Sequence, residues 1–136
     1  MIKSTRPYPI DWLSLRAIVV DDQPDTLQGI ANLLSMLGPS VTQVVSGSEA
    51  INLIQTCHYR FHFAIVDMVM PVLSGTETAR ELRIADKTLP IVFCSGLPRQ
   101  KFTTELFAFT DSAFLQKPFT RAQLEATLTR LLSTGT

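Results

Sequence analysis

Apolar residues recur along this chain with two different periods. Short runs rich in Val, Ile and Phe, apolar on both faces, fall at about 16–21, 41–46, 61–67, 90–95 and 112–117. Runs of that length without a polar face predict strands covered on both sides, as in a parallel sheet flanked by helices. Between them the period lengthens. Leu27, Ile30, Ala31, Leu34 and Leu37 recur at helical spacing, opened by Pro24 and closed by Gly38-Pro39, residues that suit a first helical turn and a helix stop. Ala50, Ile51, Ile54 and Cys57 mark a second helix. A third begins at Ser74-Gly75-Thr76-Glu77, the spacing of a capping box, and turns Ala79 and Leu82 inward. Thr120-Arg121-Ala122-Gln123 opens the last helix in a similar way, ahead of Leu124, Leu128, Leu131 and Leu132. The stretch from Phe102 to Phe109 is the least regular, since no Gly or Asn stops it. Five strand–helix units with short connections predict a three-layer α/β sandwich with right-handed crossovers.

Residues 1–15 differ from the rest. Pro7 and Pro9, with Lys3 and Arg6, predict an irregular extension or linker, its end pinned to the domain by Trp12, Leu13 and Leu15. The folded unit is expected over 16–132, and 133–136 read as a tail. A chain of 136 residues with 46% apolar and 18% charged residues suits one globular domain with a proper core. Twelve basic and twelve acidic residues cancel, which leaves no broad electrostatic footprint for nucleic acid or an anionic membrane. No apolar stretch approaches a membrane span and no signal-peptide core leads the chain, so a cytoplasmic location is the default. Cys57 and Cys94 lack metal-type spacing and read as buried free thiols of a reducing compartment.

The candidate chemistry lies where the predicted strands end. The first runs into Asp21-Asp22, the third into Asp67, the fourth into Ser95 and the fifth into Lys117. Open α/β sheets bind ligands beyond the carboxyl ends of their strands, so these side chains converge on one edge. Three carboxylates beside apolar strands call for neutralisation, by a divalent cation and a phosphoryl group. Oxygen ligands without His or Cys select Mg²⁺ or Mn²⁺ over zinc.

The ordered set Val19-Val20-Asp21-Asp22, Asp67 with Met70-Pro71 and Gly75, Ser95-Gly96, Phe114 and Lys117-Pro118-Phe119 resembles a receiver domain of two-component response regulators. The resemblance runs from about Arg16 to Leu132. It implies a flavodoxin-like fold of five βα units with sheet order 2-1-3-4-5. It further implies that Asp67 is the phosphoacceptor, a carboxylate nucleophile toward a phosphohistidine on a histidine kinase or histidine phosphotransfer protein. Asp22 and Asp67, with the backbone carbonyl of Val69, would then hold Mg²⁺ directly, and Asp21 through bound water. Lys117, aimed by a cis bond to the following Pro118, would face the phosphoryl oxygens, and Ser95 and Phe114 would form the switch pair. Such a domain is a phosphoacceptor that assists its own phosphorylation and dephosphorylation rather than an enzyme.

Several positions depart from that pattern. Ser95 stands where threonine is commoner, keeping the hydroxyl. Val69 and Leu97, which flank the phosphoryl site, are both apolar, where many relatives carry a polar group, and this predicts slow self-dephosphorylation. Thr110-Asp111 replaces a Gly-Ala pair, so the fourth helix is expected to be short, irregular or mobile. Phe102, Phe107 and Phe109 give that region more aromatic surface than one packed face requires. One or two of them suit the core, and the rest a homodimer or parent-protein contact through the fourth helix and fifth strand. Two rival functions remain. An aspartyl-phosphate phosphatase would need an acid two residues after Asp67, where Val69 stands, and a purely structural interaction module would be expected to have lost part of the acidic set.

Overall fold

The structure, a computed structural model, describes residues 9–133. Five parallel strands form one sheet: β1 (Arg16–Val20), β2 (Ser40–Val44), β3 (Phe63–Asp67), β4 (Ile91–Ser95) and β5 (Ser112–Gln116), in the order β2-β1-β3-β4-β5. The helices between and after them are α1 (Pro24–Leu37), α2 (Gly47–Thr56), α3 (Gly75–Ala85), α4 (Thr103–Phe107) and α5 (Arg121–Ser133). This is the three-layer α/β sandwich that the alternating periods predict, in the flavodoxin-like strand order that the receiver resemblance implies.

Strand residues divide between two cores by parity. Ile18, Val20, Ala64 and Val66 face α2, α3 and α4, packing with Ala50, Ala79, Leu82 and Leu106. Ala17, Val19, Phe63 and Ile65 face the other layer, with Leu27, Ile30 and Leu34 of α1 and Leu124 and Leu128 of α5. All five residues of β3 and of β4 are buried. Central strands covered on both sides cannot offer a polar face, which explains their unbroken apolar sequence.

The local signals act as their chemistry requires. Ser74 accepts from the Glu77 N–H while the Glu77 carboxylate accepts from the Ser74 N–H, a complete capping box. The same exchange joins Thr120 and Gln123 ahead of α5. Pro24 occupies the first turn of α1, and Gly38 ends it at φ 130°, a conformation that L side chains rarely adopt.

Several boundaries differ from the sequence expectations. β2 spans 40–44 rather than 41–46, β3 begins at Phe63 rather than 61, and β5 stops one residue before Lys117. Trp12 and Leu15 do pack against the α1/α5 core, but Leu13 is 81% exposed and pins nothing. The intervening residues 12–14 form a 3-10 turn that aims Leu13 outward. Cys94 is buried as expected, whereas Cys57, at the end of α2, is only half-buried. Leu37, at the last turn of α1, is likewise partly buried. Helix α5 runs through Ser133, a residue expected to lie in the tail. The positions assigned to the extension at 1–8, and those at 134–136, lie outside the described residues.

The fourth helical segment is short, as the missing glycine predicts. A 3-10 turn at Arg99–Phe102 leads into the five residues of α4. The positive φ that a glycine would usually take falls on Asp111, at 49°. Phe102 is buried, Phe109 packs edge-on against Phe93 at 5.1 Å, and Phe107 is 90% exposed.

Candidate functional site

Asp21 and Asp22 follow β1, Asp67 ends β3, Ser95 ends β4 and Lys117 follows β5. The parallel register brings them to one edge: Val20 pairs with Val66, Asp67 with Cys94, and Ser95 with Gln116. The topology thus brings together the three acids and the lysine that are separate in sequence.

Oxygens of Asp21, Asp22 and Asp67 all lie within 4.8 Å of one another. Asp21 is fully buried, Asp67 nearly so and Asp22 half-buried. The Lys117 ammonium reaches into the cluster, 2.7 Å from Asp21 Oδ2 and 3.5 Å from Asp67 Oδ2. The peptide bond from Lys117 to Pro118 is cis, as expected. Asp21 Oδ1 also accepts the Gln23 N–H at 2.9 Å, and Asp67 Oδ1 the Val69 N–H at 3.4 Å.

These contacts have electrostatic consequences. Burial pushes the Asp67 carboxyl above its ordinary value, against the pull of the Lys117 charge. Burial works against the Lys117 ammonium as well, but its hydrogen bond to Asp21 and the surrounding negative groups outweigh this and hold it above the usual value. Cys94, fully buried opposite Asp67, has its thiol pushed far upward by desolvation. One lysine cannot neutralise three acids, so the cluster retains an excess of negative charge. Around Mg²⁺, ligand oxygens at about 2.1 Å stand roughly 3–4 Å apart. The acidic oxygens are therefore close enough to share one such ion after a small closure, and the all-oxygen donor set suits it.

Ser95 is buried, and its hydroxyl accepts the Leu97 N–H at 3.0 Å. Phe114 lies apart from the acids, half-buried on β5, with its ring 6.0 Å from that of Phe102. Val69 and Leu97 are about half-exposed, 57% and 48%, on loops leaving β3 and β4.

Three features of this neighbourhood have no counterpart in the sequence expectations. Gly75, at the start of α3, is pressed against the end of β3: a Cβ there would lie 2.4 Å from the Asp67 carbonyl oxygen and 2.7 Å from Met68 Cα. Val72 adopts φ 68° at the centre of a three-residue turn closed by Leu73 N–H to Pro71 C=O at 2.9 Å. The Thr76 hydroxyl bonds Glu105 of α4 at 3.2 Å. Capping chemistry accounts for Ser74 and Glu77, but no short spacing links residues 29 apart.

The response regulator receiver domain model matches residues 17–129, and the chain belongs to that family. The response regulator RppA of Synechocystis is 30% identical over 117 residues, covering 86% of this chain and 50% of that protein. Sensor kinase CckA of Brucella abortus is 29% identical over 119 residues, 88% of this chain but 13% of the kinase. This chain thus spans at most about half the length of these two relatives. Among solved structures, the magnesium-bound receiver domain of sensor histidine kinase PA1611 from Pseudomonas aeruginosa superposes with a TM-score of 0.78 at 28% identity, covering 88% of this chain and 98% of that domain. Receiver domains work with histidine kinases in two-component signalling. No helix among the described residues is long and apolar enough to cross a membrane.

Proposed function

We propose that this chain receives a phosphoryl group on Asp67 from a phosphohistidine of a histidine kinase or histidine phosphotransfer protein, with Mg²⁺ (or Mn²⁺) bound. The observation that carries the reading is the converging trio Asp21, Asp22 and Asp67 with the Lys117 ammonium set between two of them. Asp22, Asp67 and the Val69 carbonyl would hold the metal, and Asp21 would support it through bound water. The metal, when bound, offsets the repulsion between an anionic nucleophile and an anionic phosphoryl group.

The chain's own groups do the rest. Asp67 attacks in line and becomes the acyl phosphate while the histidine nitrogen leaves. Lys117 turns from the carboxylates toward a phosphoryl oxygen, placing positive charge where negative charge gathers. Ser95 exchanges its bond to the Leu97 N–H for one to the phosphoryl group, and Phe114 follows into the space it leaves. The groove between α4 and β5, lined by Leu106, Phe107, Phe109 and Phe114 with Arg99 at its rim, then meets a second copy or a domain of a parent protein. Asp67 is recovered by hydrolysis that the domain itself assists.

Incubation with Mg²⁺ and acetyl phosphate tests the reading. The expected outcome is one phosphoryl group per chain, absent from Asp67→Asn, seen as a single mass increment. Repeated turnover of the donor would indicate a phosphatase, and no incorporation an inert interaction module.

A further inference from the structure

We propose that Thr76 and Glu105 form a resting-state latch holding α4 to α3, which opens when Asp67 carries a phosphoryl group. The proposal rests on the receiver reading above and adds a regulatory contact outside the acidic cluster.

The first turn of α3 has no slack against the phosphoacceptor. Gly75 packs on the Asp67 carbonyl, too closely for any Cβ, and its N–H donates to Met68 C=O at 2.9 Å. Thr76, the next residue, is only 3% exposed. Its hydroxyl donates to Glu105 Oε2 at 3.2 Å, a bond strengthened by the carboxylate charge. Ser74 Oγ, 3.4 Å from Thr76 Oγ1, stands on the other side of that hydroxyl. Glu105 thus ties α4 to the turn that rides on Asp67.

Helix α4 depends on such ties. It has five residues and Phe102 supplies no side-chain cap, and so short a helix is held by tertiary contacts rather than by its own hydrogen bonds. Two contacts from α3 reach this region. Beyond the helix, the half-buried guanidinium of Arg83 donates to Thr110 C=O at 2.7 Å and Asp111 C=O at 3.0 Å in the turn before β5, and to Leu89 C=O at 2.8 Å. At the middle of α4, the Thr76–Glu105 bond is a single bond ending on an exposed residue. Of the two contacts it is therefore the one that gives.

The trigger lies in the loop leading into α4. Ser95 Oγ accepts the Leu97 N–H, which fixes that loop in the resting protein. A hydroxyl that turns to the phosphoryl group releases Leu97, and the 3-10 turn at Arg99–Phe102 passes the displacement to α4. Thr76 and Glu105 are positioning residues; neither belongs to the acidic trio.

Hydrogen exchange over 99–109, in the full chain with and without Mg²⁺ and the phosphoryl mimic beryllofluoride, tests this. Wild-type α4 amides are expected to exchange faster once the mimic binds. Glu105→Ala and Thr76→Val each raise exchange in the resting protein by roughly 3- to 10-fold, leave the loaded state unchanged, and together do no more than either alone. Glu105→Gln and Thr76→Ser, which keep an acceptor and a hydroxyl, behave nearly as wild type. Equal acceleration in both states, additive effects, or no effect while wild type still responds overturns the latch alone. A wild-type α4 that ignores the mimic overturns the latch, and a lack of phosphoryl incorporation at Asp67 overturns the receiver reading separately. Should Thr76→Val fail to fold, Glu105→Ala at its exposed position decides the question by its dependence on loading.

Discussion

Lys117 stands nearer to Asp21 than to Asp67, and burial explains why. Asp21 is wholly removed from solvent, where an unpartnered carboxylate would be costly, so the ammonium serves it first. Asp67 keeps slight exposure and a looser contact, which suits the nucleophilic role proposed for it. Val69 and Leu97 beside it offer no side-chain hydrogen bond to an attacking water. Val69→Asn is expected to shorten the lifetime of the acyl phosphate by roughly tenfold, since an oriented water is a form of general-base assistance. Decay of the phosphoryl group after donor removal measures this, and an unchanged lifetime would count against the role of the apolar flank.

Helix α3 carries more of the mechanism than its surface position suggests. Its capping box fixes the first turn, Gly75 brings that turn onto the backbone of Asp67, and Arg83 at its other end holds the turn before β5. The atoms that a Gly75 side chain would strike are backbone and have nowhere to move. Gly75→Ala is therefore expected to cost about 1–3 kcal/mol, the usual range for an overpacked site, as a lowered urea midpoint with the slope retained. Helix α4 shows the opposite economy, with few bonds of its own and neighbours that hold it in place.

At the scale of the molecule, the acids gather at one end of the sheet and a different titratable contact lies at the start of β1. His62 Nδ1 accepts the Arg16 N–H at 2.9 Å, so that nitrogen must be unprotonated. Burial, then the charges of Arg60 and Arg16, lower its pKa below 6.5. The unfolded chain then binds the proton more readily, so this contact contributes stability above pH 6.5 that is lost as pH falls toward the folded value. The residue is only partly buried, so solvent screening should keep the effect under about 1 kcal/mol. Melting temperatures between neutral and mildly acid pH should fall less in His62→Asn than in wild type. Equal slopes would show that other groups govern acid loss.

Much of this architecture was legible in the chain. Runs apolar on both faces marked the strands, because central strands have no solvated side, and acids closing those runs marked the site. Pro24, Gly38 and the box at Ser74 to Glu77 marked helix ends through local backbone chemistry. Less legible were Leu13 and Cys57, whose exposure depends on how a turn aims one side chain. Thr76 with Glu105, and Arg83 with Thr110 and Asp111, were hidden for a related reason: their partners meet only after the whole sheet has set the helices side by side.

The burial of Cys94 has a consequence of another kind. Its thiol is fully enclosed on the strand beside Asp67 and pushed strongly toward the protonated form. Oxidants and thiophilic metals need access to the thiolate, and full burial keeps this sulfur out of their reach although it lies next to the acidic edge.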